Sequence, residues 1–107
     1  MAKYLFQGSY TVEGLKGLMK DGGTGRREAT DKMAKSLGGT LEAYYFAFGS
    51  NDFYVIVDAP DNVSSCAAAL IANASGALKC KTVVLLTPEE VDQAIKKSVD
   101  YRPPGQS

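Results

Sequence analysis

The segment LEAYYFAFGSNDFYVIVDAPD, residues 41–61, constrains this chain more than any other stretch. Two runs rich in aromatic and β-branched residues flank Gly-Ser-Asn-Asp, which reads as a β-hairpin. With GSND as a four-residue loop, Phe48 faces Phe53, and strand alternation sorts the side chains. Tyr44, Phe46, Phe48, Phe53, Val55 and Val57 share one face. Ala43, Tyr45, Ala47, Tyr54, Ile56 and Asp58 share the other. The first face is nearly all apolar, and the second mixes alanines with phenols and one carboxylate. Neither reads as a face meant for water.

The flanking segments supply helices for one side only. KYLFQGSY, residues 3–10, reads as the first strand, and Thr11 caps a helix carrying Leu15, Leu18 and Met19. DGGTG, residues 21–25, interrupts that helix with three glycines. A second helical segment, residues 26–37, follows with Thr24 as its N-cap and ends at Gly38-Gly39. Beyond the hairpin, Asp61 or Asn62 caps a helix through CAAALIANA that stops at Gly76. KCKTVVLL, residues 79–86, reads as a strand. TPEE then opens a last helix, with Thr87 as N-cap, Pro88 in the first turn and Glu90 closing a capping box. Val91, Ala94, Ile95 and Val99 are its expected buried stripe, and Pro103-Pro104 end the pattern.

The order β-α-β-β-α-β-α is the ferredoxin-like, split βαβ arrangement of the α+β class. At 107 residues the chain is one domain. Right-handed crossovers place both main helices on one face of a four-stranded antiparallel sheet. The other face is left bare. An apolar side chain is worth roughly 1.5–3 kcal/mol on burial, so six left exposed call for a cover. A second copy of the chain, packed sheet to sheet as a dimeric α/β barrel, is the expected cover, in a homodimer or a higher even-numbered oligomer. The alternative is a monomer with a solvent-facing aromatic sheet, as in RNA-binding modules.

Charge argues against that alternative. Lys plus Arg and Asp plus Glu number 12 each, so no broad basic face is available to nucleic acid. Neutral balance gives no pull toward an anionic membrane either, and no run reaches the roughly 18–20 apolar residues of a membrane span. Histidine is absent, which removes the commonest metal ligand and the usual base near neutrality. No metal or other cofactor is expected, haem included. Cys66 and Cys80 lack metal-ligand spacing and read as buried reduced thiols. No secretory signal is legible in MAKYLFQGSY, so the cytoplasm is the expected compartment.

The segments YLFQGSYT, GGTGRR, LEAYYFAFG, YVIVD, VLLTPEE and KKSVDYRPPG resemble the GYD-domain family, small bacterial proteins related to the dimeric α/β-barrel group. The resemblance implies a ferredoxin-like fold and dimerisation. It implies no particular activity. The tripeptide that names the family does not occur in this chain, so no functional residue is carried over from it.

GGTGRR has two readings, an anion-holding loop at a helix start or a kinked helix pair. Its spacing matches no phosphate-loop or dinucleotide fingerprint. Arg27 has Asp31 four residues on, an exposed helix pair repeated by Glu28–Lys32 and Asp31–Lys35. Arg26 shares a face with Ala29, Met33 and Leu37, and has Thr30 at that spacing. It must snorkel, pair with a carboxylate such as Asp58, or meet a ligand. Tyr10, Arg26, Tyr45, Tyr54 and Asp58 are the candidate ligand-binding residues, because phenol tips beside small alanines leave room for an oriented guest. Buried, Asp58 would also be a candidate base. DYRPPG reads as a surface clip, an arm to a partner chain, or a loose tail.

Two functional readings stay open. One is a dimeric protein binding an apolar or aromatic ligand, with or without an anionic group, between helices and sheet. As an enzyme it would suit cofactor-free oxygenation, isomerisation or decarboxylation. The other is a non-catalytic assembly or ligand-sensing module whose aromatic face serves only association.

Overall fold

The computed structural model describes residues 1–106. The chain runs β1 (Ala2–Tyr10), α1 (Val12–Ser36), β2 (Thr40–Phe46), β3 (Phe53–Ala59), α2 (Asn62–Ala74), β4 (Leu78–Leu85) and α3 (Pro88–Ile95). The strands form one antiparallel sheet in the order β2-β3-β1-β4. This is the ferredoxin-like arrangement expected from the element order.

The helices settle which face of the hairpin is the core. Tyr4 and Phe6 of β1 and Phe53, Val55 and Val57 of β3 are buried against Ala34 of α1 and Ala68 of α2. The nearly all-apolar face therefore meets the chain's own helices. The register differs from the four-residue loop. Phe46, not Phe48, pairs with Phe53, and Phe48 is fully exposed in the connecting loop. In this register the Asp52 carbonyl accepts from the Ala47 amide at 2.8 Å, and Asp52 is also tied to β1. Its amide donates to the Gly8 carbonyl at 2.7 Å, and its carboxylate accepts from the Tyr10 amide at 2.9 Å. A slip of two positions preserves side-chain parity, so the strand residues keep their faces.

On the bare face the cross-strand register lines residues up in rows. Ala43, Ile56, Leu5 and Val83 form a central apolar row across all four strands. Tyr45, Tyr54, Gln7 and Lys81 form the row on one side. Asp58, Lys3 and Leu85 lie on the other. An irregularity in β2 between Leu41 and Ala43 lets the Glu42 carboxylate join them. The Lys3 ammonium donates to Glu42 at 2.9 Å and to Asp58 at 3.0 Å. Glu42, then Asp58, raises the Lys3 pKa above its ordinary value.

Helix α1 starts at Thr11, whose side chain accepts from the Gly14 amide. A Cβ on Gly14 would sit 1.8 Å from the Ala77 carbonyl oxygen, so this turn packs backbone to backbone. The break falls on Gly22 alone, at φ 78° and ψ 164°. Thr24 is inside the resumed helix rather than its cap, so the kinked-helix reading of GGTGRR describes the local structure. Asp31 pairs with Lys35 at 2.9 Å, not with Arg27.

Asp61 caps α2 by accepting from the Ser64 amide at 2.8 Å, and that bond holds its carboxyl below the usual range. One turn in, the hydroxyl of Ser65 is buried with no hydrogen-bond partner among the described residues. Removing it relieves an unpaid desolvation and improves helix propensity. Ser65→Ala is expected to stabilise the fold by about 1 kcal/mol, read as a higher urea midpoint at unchanged slope. A lower midpoint would mean that the hydroxyl is satisfied in solution.

Helix α3 forms as its capping box predicts, with the Glu90 amide on Thr87 and the Thr87 amide on Glu90. Its stripe is not buried. Val91, Ile95 and Val99 are all exposed, as is every residue from 88 to 102. The sequence pattern was right about the helix and wrong about its neighbour, because this chain provides no surface for α3. Cys66 is likewise exposed rather than buried, and both thiols are free. No helix among the described residues is long and apolar enough to cross a membrane.

Candidate functional site

Helices α1 and α2 share the core face of the sheet and leave a groove between them. Its inner end is a cavity of about 70 Å³. Phe6, Phe53 and Val55 of the sheet, Met33 of α1, and Ala68 and Ala72 of α2 give it apolar walls. It opens into an outer groove of about 420 Å³ that also touches Gly17 and Leu18, with Glu13 and Asp21 at its edge. Tyr10, Arg26, Thr30 and Met33 line both compartments. The alanines of α2 explain the space, since larger side chains there would reach the floor.

The polar groups of the inner end are hydrogen-bond donors before anything else. Tyr10 ends β1, its ring tilted against Phe53 at a centroid distance of 5.3 Å. Its hydroxyl lies 3.1 Å from that of Tyr44, which stands on β2. Burial pushes the Tyr10 phenol well above its ordinary pKa, and the Tyr44 hydrogen bond adds to the shift. The nearby Arg26 guanidinium acts in the opposite direction. Tyr10 therefore stays a neutral O–H group across the physiological range. Arg26 comes in on the resumed half of α1, with Thr30 and Met33 one and two turns on. Among the described residues it has no carboxylate within ion-pair distance. No carboxylate lines the inner cavity.

The model of the GYD domain matches residues 4–95. The chain belongs to the GYD-domain family. No curated protein and no solved structure matches it. Of the segments that suggested the kinship, KKSVDYRPPG lies beyond the matched residues.

The GYD domain brings together two of the five residues expected to bind a ligand. Tyr10 and Arg26 share the groove. Tyr45, Tyr54 and Asp58 stand on the opposite face of the sheet, in the rows beside Ile56. The Tyr54 hydroxyl accepts from the Asn51 amide group at 3.3 Å. Asp58 is held by Lys3 and not by Arg26, which the sheet keeps away from it. Pairing of Arg26 with Asp58 is thus ruled out by face, and a base role for Asp58 in the groove fails for the same reason.

Sequence reasoning missed Tyr44, Phe53 and Cys80 as lining residues. Tyr44 differs from Tyr45 by one position, and parity alone separates the two. The missing signal was which face the helices take. Cys80 on β4 sits half-buried at the groove floor, where burial raises its thiol pKa. Its carbonyl accepts from the Asn73 side-chain amide at 3.3 Å, and its amide donates to the Asn73 oxygen at 2.8 Å, clamping α2 to β4.

Proposed function

We propose that this GYD domain is a dimeric small-molecule-binding protein whose ligand occupies the groove between α1, α2 and the sheet. The observation that carries the reading is an apolar cavity whose one charged lining residue, Arg26, has no carboxylate partner among the described residues. Unpaired guanidinium beside apolar walls is costly unless solvent or a guest meets it. A mostly apolar concavity with few polar groups is the common form of a ligand site. The inner lining has no carboxylate and a neutral phenol, which favours holding a guest over proton transfer.

A second copy is the proposed cover of the bare sheet face. Support comes from the central row of Ala43, Ile56, Leu5 and Val83, and from the stripe of α3, which finds no place in its own chain. Two free thiols fit a reducing compartment such as the cytoplasm.

Gly17 provides the test of the groove. It lines the outer groove, and a Cβ there meets no atom within 4 Å. Leucine would narrow the outer groove without a backbone clash. A helical glycine also costs about 0.8–1 kcal/mol against a good helix former. Gly17→Leu is expected to raise the melting temperature while weakening retention of the bound small molecule that native mass spectrometry finds after exposure to a metabolite extract. Undiminished retention of that molecule by the variant, or none on the wild-type protein, would overturn the groove reading.

A further inference from the structure

We infer that the groove selects small monocarboxylates carrying a ring or short branched chain, with Arg26 and the Tyr10–Tyr44 hydroxyl pair reading the carboxylate and the inner cavity holding the apolar part. The inference rests on the groove reading above and specifies its guest. Its basis is a count of protons. Two hydroxyls 3.1 Å apart share one proton between them, with either oxygen as donor. The second proton of the pair has no acceptor among the described residues and remains free to donate. Arg26 adds a planar fork of N–H donors, also unmet by any carboxylate among the described residues. A third hydroxyl, that of Thr30, lies in the same lining.

The inner lining thus offers donors in excess and no anionic acceptor. A guest that satisfies it brings acceptors and one negative charge. A carboxylate does so, taking a bidentate contact from guanidinium and a third bond from a phenol. An ammonium group would meet Arg26 as a like charge. A neutral alcohol would leave the guanidinium's charge uncompensated. The outer groove adds selectivity, since Glu13 and Asp21 in its lining would repel the second anionic group of a longer diacid.

Size limits the apolar part. A water-sized group needs roughly 10–15 Å³ of such volume. A cavity of about 70 Å³ then takes about five to seven non-hydrogen atoms. A phenyl ring or a short branched alkyl group fits that number, and a long fatty chain does not.

Benzoate, benzyl alcohol and benzylamine are suitable probes, because they share the ring and differ in head group. Titrations followed by protein amide chemical shifts report affinity and place together. Benzoate should shift groove residues around Tyr10, Thr30 and Met33, and bind at least tenfold more tightly than either other probe. Arg26→Met should weaken benzoate tenfold or more and leave benzyl alcohol unchanged. Tyr10→Phe combined with Tyr44→Phe should weaken benzoate with the charge still in place. Arg27→Ala, outside the groove, should change nothing. Equal binding of benzoate and benzyl alcohol in the groove, insensitive to Arg26→Met, would overturn the carboxylate inference and leave the groove reading intact. Failure of all three probes to shift groove residues would overturn both. The probe comparison on unmodified protein decides the matter even where a variant fails to fold.

Discussion

Ile56→Asp is expected to convert a dimer into a folded monomer. Ile56 is in the central row of the bare face, flanked by Ala43 and Leu5 on the neighbouring strands. In a face-to-face dimer a carboxylate at that point is desolvated with no cation beside it. The cost of an unpaired buried charge is several kcal/mol, so dimer affinity should fall at least 100-fold, equivalent to about 2.7 kcal/mol. In the monomer the same side chain points to water, and folding is little affected. Sedimentation at micromolar concentration reads the assembly, and a thermal melt of the monomer reads the fold. Phe46→Asp is the contrasting variant. Phe46 lies on the helix side, its ring tilted on Tyr44 at 5.1 Å and close under Gly23. It should lower stability by roughly 1–3 kcal/mol without changing assembly. A wild-type monomer, or a dimer that survives Ile56→Asp, would refute the sheet-to-sheet arrangement.

Tyr4→Ala is expected to have the largest effect on stability of any single substitution in the core. Tyr4 is the largest fully buried side chain, 1% exposed in the middle of the helix-covered face. Its hydroxyl donates to the Asn62 side-chain oxygen at 2.6 Å, tying β1 to the first turn of α2. Truncation of a large aromatic costs about 3–5 kcal/mol. A domain of this size holds only roughly 5–15 kcal/mol in all. A fall of about 15–30 °C in Tm follows. Tyr4→Phe separates the two contributions. It keeps the ring and forfeits the hydrogen bond, for about 1–1.5 kcal/mol. If Tyr4→Phe cost as much as Tyr4→Ala, the Asn62 contact rather than packing would dominate. If both were mild, Tyr4 would not be the centre of the core.

The two variants draw on different kinds of surface, and the sequence treats those surfaces alike. Ile56 and Val57 are adjacent, both β-branched and both in a strand. One is buried by the chain's own helices and the other faces away from them. Alternation assigns them to opposite faces with certainty, because side chains in a strand repeat every two residues. It does not say which face the helices take.

The candidate site shows the same division at finer scale. Arg26 was legible because helical spacing placed it with Met33 and away from a partner at i+4. Tyr10 was legible as the last residue of a strand entering a helix. Tyr44 was passed over for Tyr45, since the choice between neighbours depends on the helix-covered face. Arg26 was offered Asp58 as a partner because nothing in the linear order reveals that a sheet lies between them.

By itself the sequence determined what local physics controls. It set the order of elements and the two faces of the hairpin. It set the caps at Thr11 and Thr87 and the stop at Gly38. Each rests on residues within a few positions of one another, where backbone hydrogen bonding and steric preference act directly. The tertiary structure alone decided the loop register, in which Asp52 bonds Ala47 across the hairpin and β1 beside it. It alone decided that the aromatic face is the inner one, that the break in α1 narrows to Gly22, and that α3 has no seat in its own chain. The groove, too, exists only in three dimensions. Tyr10, Arg26 and Tyr44 come from three elements, and only the docking of α1 and α2 on one side of the sheet makes them neighbours.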